Sequence, residues 1–207
     1  MNFLWESWLG AFTATEKEAI INRIQGKSVH DYQALMTGAF GEMRRVLKSG
    51  RWLTVMFHNS SAQVWSAIQT ALASSGFEIE STQTLDKQHG TFKQFVSANA
   101  VGYDLLIHCQ KQSVLGANVR PSQQSSSFQA RNFISTALRQ NPEAYIIRYL
   151  HVDRGNEINT RKLYSLWLRE RLENGEPVDI SYEDFRHITL QVVQESGSRL
   201  CLQEELL

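Results

Sequence analysis

A chain of 207 residues with 42% apolar and 20% charged side chains is long enough for one domain with a sizeable core, or a smaller domain with an appendage, and apolar enough to fold. Its 21 basic residues balance 21 acidic ones, so any nucleic-acid contact has to be local rather than driven by a general basic excess. No stretch approaches the roughly 18 apolar residues of a membrane span, the opening residues carry no basic leader, and Cys109 and Cys201 lack metal-type spacing; a cytoplasmic protein with no membrane partner, disulfide or metal is expected.

The chain opens on an aromatic-rich patch, Phe3, Leu4, Trp5, Trp8, Leu9 and Phe12, of the kind that packs on something, and a helical pattern begins at Thr15 with Ala19, Ile20 and Ile21. Between 29 and 48, Tyr32, Leu35, Met36, Ala39, Phe40, Met43, Val46 and Leu47 recur at helical spacing. Arg44, Arg45 and Lys48 fall in the last turns, where cations suit the helix dipole. Ser49-Gly50 stops this helix, and 52–57 reads as a short, largely buried strand. Ser60 or Ser61 caps a helix with the stripe Val64, Trp65, Ile68, Leu72 and Ala73, which Gly76 ends. Residues 77–82 alternate like a strand, 86–99 are polar and read as a loop, and 103–109 form another strand. The succession predicts a crossover unit followed by a hairpin with a long connection. After a stretch rich in Ser, Gln and Gly, only helical signals remain: 128–139, then Asn141-Pro142-Glu143 as a cap with 145–150 behind it, 160–172, and 182–194 from a Ser181 cap.

The run Met43-Arg44-Arg45-Val46-Leu47-Lys48-Ser49-Gly50-Arg51-Trp52-Leu53-Thr54-Val55-Met56-Phe57 is similar to the helix, turn and fifth strand of class I S-adenosylmethionine methyltransferases. Phe57-His58-Asn59-Ser60, Val64-Trp65, the helix end from Ala71 to Gly76 and Phe77-Glu78-Ile79 resemble the corresponding stretch of prokaryotic DNA adenine methyltransferases of the zinc-ribbon-associated type. Gly90-Thr91-Phe92-Lys93-Gln94 ahead of Tyr103-Asp104-Leu105-Leu106-Ile107 resembles that group's loop and final hairpin strand, and Phe3 to Leu9 looks like the segment shortly after its catalytic motif. The resemblance covers residues 1–111.

The fold it implies is α/β: a partial class I methyltransferase (Rossmann-like) sheet of about three strands with flanking helices over 1–111, a linker at 112–127, and a helical C-terminal region over 128–207. Strands near 52, 77 and 103 would make the far side of a seven-stranded sheet and leave one edge of its central strand bare. The activity implied for the complete enzyme is methyl transfer from S-adenosylmethionine to an exocyclic amino group in DNA, of adenine rather than cytosine. That family's Asp-Pro-Pro-Tyr tetrapeptide holds the target amine and stacks the flipped base, and a glycine-rich loop cradles the cofactor. Neither appears here, because Pro121, Pro142 and Pro177 lie in no such tetrapeptide and no Gly-x-Gly follows a strand. Hence no catalytic or cofactor-binding residue is assigned, and the isolated chain is expected to bind no cofactor and to be inactive. It is expected to be a fragment of a longer enzyme or a subunit complemented by an N-terminal chain; the alternative is a non-catalytic binding or scaffold module derived from a methyltransferase.

His58 and Asn59 stand at the C-terminal end of a predicted strand, the side where open α/β sheets gather ligands. They line the pocket of a flipped base, or Asn59 simply caps the next helix. On the 86–99 loop, Lys93 suits a phosphate, Gln94 an adenine edge and Phe92 an extruded base; a solvated loop with Phe92 turned to the core is the other reading. Arg161, Lys162, Arg169 and Arg171 either form a DNA-facing stripe or, with Glu170 and Glu173 interleaved, an exposed amphipathic face. Arg44, Arg45 and Lys48 read first as dipole complements, and His89, His108, His151 and His187 have no partners at ligand spacing.

Overall fold

The computed structural model describes residues 2–86, 103–112, 125–147, 157–196 and 201–202. Helix α1 (Asn2–Leu9) is followed by one 3-10 turn at Thr15–Lys17 in place of the helix expected from Thr15. The reason is local. Asn22 turns the chain by accepting from the Ile24 and Gln25 N–H groups, and a short bridge pairs it with Lys27. The Lys27 ammonium then donates to the carbonyls of Thr15 and Glu18, which a continuing helix would have used for its own ladder.

Helix α2 (Val29–Val46) begins on a capping box in which the Ser28 hydroxyl oxygen accepts from the Asp31 N–H and the Asp31 carboxylate accepts from the Ser28 N–H. The Ser28 hydroxyl, which donates to the Asp31 carboxylate, and then the Ser28 N–H hold that carboxyl below the ordinary aspartate range. Gly50, at φ +69, turns the chain into β1 (Trp52–Phe57). Helix α3 (Ala62–Ser74) and β2 (Phe77–Asp86) follow, then β3 (Tyr103–Lys111).

These strands form one three-stranded sheet in the order β1-β3-β2, with β3 antiparallel to both neighbours. Strands β1 and β2 therefore run parallel, joined by α3 as a crossover, and β3 lies between them. The rows Leu53–Cys109–Ile79, Val55–Ile107–Thr82 and Phe57–Leu105–Thr84 share the inner face, where Cys109, Ile107 and Leu105 are buried. Burial pushes the Cys109 thiol up to about 12.

Residues expected to form a separate helical region join the same core. Helix α4 (Ser126–Gln140) starts two residues earlier than its apolar stripe suggests, because Ser125 caps it and the Ser126 hydroxyl donates to Asp179. Helices α5 (Thr160–Glu173) and α6 (Tyr182–Glu195) add an aromatic cluster of Tyr164, Trp167, Tyr182 and Phe185, and one hydrophobic cluster runs from Phe40 through the sheet to Val193. Helix α5 lies on the inner face beside β2. The Glu173 carboxylate accepts from both the Thr82 N–H and its hydroxyl; burial raises that carboxyl, but these bonds and Arg169 outweigh it and hold it below the ordinary range.

The C-terminal part is not purely helical. After a 3-10 turn at Pro142–Tyr145, where a helix into 150 was expected, the chain extends into β4 (Ile146–Ile147). With β5 (Glu157–Ile158) and β6 (Cys201–Leu202) it forms a second small sheet, β4 antiparallel and β6 parallel to β5. Two β-branched residues behind a proline turn favour extension over a helix. Among the described residues no helix is long and apolar enough to cross a membrane.

Candidate functional site

The site is built where β1 ends. Phe57 packs edge-on against the fully buried Trp65 of α3, with centroids 4.9 Å apart. The Trp65 indole N–H donates to the Asn59 carbonyl at 2.9 Å, and Asn59 Oδ1 accepts from the Ser61 N–H at 2.8 Å. The Tyr182 N–H donates to the Ser60 carbonyl at 3.0 Å, so the turn is held from both the crossover helix and α6. Asn59 thus uses its side-chain oxygen to shape the strand-to-helix turn.

His58, between Phe57 and this turn, is left half exposed. The register Phe57↔Leu105, carried one step further, sets Asp104 across from it. The His58 Nδ1 lies 2.8 Å from Asp104 Oδ1, and the Asp104 side chain is 3% exposed against 53% for His58. The Asp104 carboxylate thus faces the Nδ1 side of a half-exposed ring, in a close contact rather than a formed hydrogen bond. Such a pair can accept a proton or a hydrogen bond from an N–H or O–H group brought to the C-terminal end of β1. Nothing in the sequence alone marks Asp104, since only the pairing of β1 with β3 brings it to His58.

Phe92, Lys93 and Gln94 lie outside the described residues. The segment that holds them leaves the sheet at Asp86 and returns at Tyr103, residues paired with each other at the same end as His58. The Tyr103 hydroxyl accepts from Asn159 at the start of α5, at 3.2 Å.

The basic residues are spent on structure. Arg44 donates to the carbonyls of Gly76 and Gln112, and Arg45 pairs with Glu42. Arg171 is buried and donates to the Pro177 carbonyl, Glu176 and Gln129, Arg169 pairs with Glu173, and Lys162 reaches the Ala144 carbonyl. With Arg171 buried, Arg161, Lys162, Arg169 and Arg171 do not form one exposed face. His108 meets the Thr54 hydroxyl on the outer sheet face. A cleft of about 520 Å³ opens between α4 and α5, lined by Asn132, Phe133, Tyr145, Trp167, Arg171 and others; His58 and Asn59 do not border it.

The described residues do not fit a nucleotide-type cofactor cradle. The glycines with positive φ, at 10, 26, 50, 76 and 175, end helices or close a turn, and none follows a strand. Among the described residues no group of three His, Cys, Asp or Glu side chains could hold a metal ion. No family model matches this chain, and neither a curated protein nor a solved structure matches it.

Proposed function

We propose that this chain is the target-side portion of a DNA amino-methyltransferase, whose sheet is completed across β1 by a cofactor-binding half carried on another segment or another chain. The observation that carries the reading is the character of β1. Among the described residues it pairs on one side only, yet it is uncharged, and although its outer face is exposed rather than buried as expected, that face carries Trp52 and Met56 beside Thr54. Strand β2 shows what an edge looks like: Glu78 and Glu80, a register shift between Ile79 and Ser81, and the Glu173 carboxylate closing the Thr82 N–H.

Exposed apolar side chains also point to a partner. Leu4, Trp5, Trp8, Leu9, Phe12, Ile24, Met43, Val46, Trp52 and Met56 are all exposed, Trp8 at 86% and Phe12 at 95%. Apolar surface on this scale marks a face that packs on another body. The ligand side of β1 carries His58, whose Nε2 can accept a hydrogen bond from a target amine, with Asp104 as the positioning residue. No step through the cofactor is assigned to these residues, because they do not form its cradle.

The test is calorimetric titration of S-adenosylmethionine into the isolated chain, beside co-expression with an Asp-Pro-Pro-Tyr-bearing polypeptide encoded next to it, whose presence the proposal requires. The proposal expects no binding alone and a co-purifying pair that binds the cofactor. Tight cofactor binding by the chain alone, or two polypeptides that separate on a column, would overturn it.

A further inference from the structure

We propose that, when no complementing half is bound, the edge of β1 that the described residues leave unpaired pairs with β1 of a second copy of this chain about a two-fold axis at Thr54, giving one continuous six-stranded sheet. The inference stands on the edge itself and holds whether or not the methyltransferase reading does.

Three features select a second copy. Alternate residues of an edge strand present unmade N–H and C=O groups that another extended backbone satisfies, and β1 carries none of the usual guards, neither charge, proline nor bulge. Antiparallel self-pairing centred on Thr54 then matches side chains by kind. Trp52, 52% exposed, meets Met56 of the partner copy, 61% exposed, on the outer face, and Leu53 meets Val55 on the inner face. No like charges come into register, since β1 has no ionisable side chain, and the chain's formal net charge of zero sets no long-range repulsion against association. The two-fold arrangement is closed: the far edges of the joined sheet are the two β2 strands, each guarded by Glu78, Glu80 and the cover of α5.

Sedimentation velocity of the full chain up to about 100 µM should show a two-copy species that grows with concentration. Thr54→Cys places the new thiols directly opposite each other on the axis, within disulfide reach, so mild oxidation should link two copies through position 54. Val55→Cys, which faces Leu53 on the inner side, should not cross-link. Trp52→Glu with Met56→Glu sets acidic side chains against one another across both pairs and should weaken association about tenfold or more, with the far-UV spectrum unchanged because both sites are exposed. A chain that stays monomeric throughout overturns the proposal. So does association that leaves position 54 uncross-linked or ignores the double substitution, since the contact would then lie elsewhere, such as on α1.

Discussion

Trp65 ties the core to the candidate site, and its replacement has two separable consequences. The side chain is fully buried, stands edge-on to Phe57 at 4.9 Å and donates its indole proton to the Asn59 carbonyl at 2.9 Å. Trp65→Ala removes all three and leaves a cavity, a loss of about 3–5 kcal/mol. Set against a typical total of about 5–15 kcal/mol, that brings the chain close to unfolding. Trp65→Phe is more informative. It keeps most of the packing but loses the hydrogen bond, about 1 kcal/mol, and some volume, for a total of about 1–2.5 kcal/mol. In a chain of this size that is roughly 2–10 °C in Tm. Urea unfolding followed by far-UV circular dichroism measures both variants. The second consequence is at His58: with the Asn59 carbonyl released, the turn loosens, and the 2.8 Å approach of His58 Nδ1 to Asp104 Oδ1 should widen, which the NMR shifts of the His58 ring report. A Phe variant within about 0.5 kcal/mol of wild type, with the His58 ring shifts unchanged, would refute the claim that the indole holds this turn.

Arg171→Met should cost about 3–5 kcal/mol by chemical denaturation, because the buried guanidinium satisfies Glu176, Gln129 and the Pro177 carbonyl together; Glu176→Gln, at a partly exposed partner, should cost about 1 kcal/mol. Cys109 predicts an alkaline loss of stability. Its folded thiol titrates near 12 against an ordinary 9, so its contribution is complete below pH 9 and fades as pH rises toward 12. From pH 9 to 10 this thiol alone should lower the unfolding free energy by about 1 kcal/mol, a fall that Cys109→Ala removes. Tyr164, raised by burial and then by the Asp184 carboxylate, adds a loss of the same sign above the ordinary tyrosine range. Gly50→Ala forces a side chain into a left-handed turn and should cost about 1–2 kcal/mol, although no atom crowds the site.

The elements with a strong period and a clear cap were legible in the sequence. Helix α2 with Ser49-Gly50 behind it, β1 at 52–57 and α6 after Ser181 stand where spacing and capping place them; α3 starts after Ser61 as its spacing suggests, but without a side-chain cap bond from that serine. What sequence periodicity cannot reach is pairing between distant segments. Strand β3 separates β1 from β2 because of contacts some 50 residues apart, and only that register joins Asp104 to His58. The strands β4, β5 and β6, two residues each, are too short to show alternation. At 15–21 the apolar spacing suggested a helix, but the Asn22 turn and the Lys27 ammonium compete for the same backbone groups. The aromatic patch at 3–12 illustrates the same limit from the other side. Its composition says that it packs, while the structure shows Trp5, Trp8, Leu9 and Phe12 uncovered by the described residues of this chain.

The central claim is that β1 joins a cofactor-binding half and that this chain supplies the target side of the resulting enzyme. Its most direct measurement is transfer of tritiated methyl groups to DNA by the co-expressed pair, with each polypeptide assayed alone, and with β1 altered by Val55→Pro, which removes a ladder donor. The account predicts label in adenine only when both polypeptides are present and β1 is intact. Label from either polypeptide alone, or a pair that remains fully active with β1 disrupted, would contradict it.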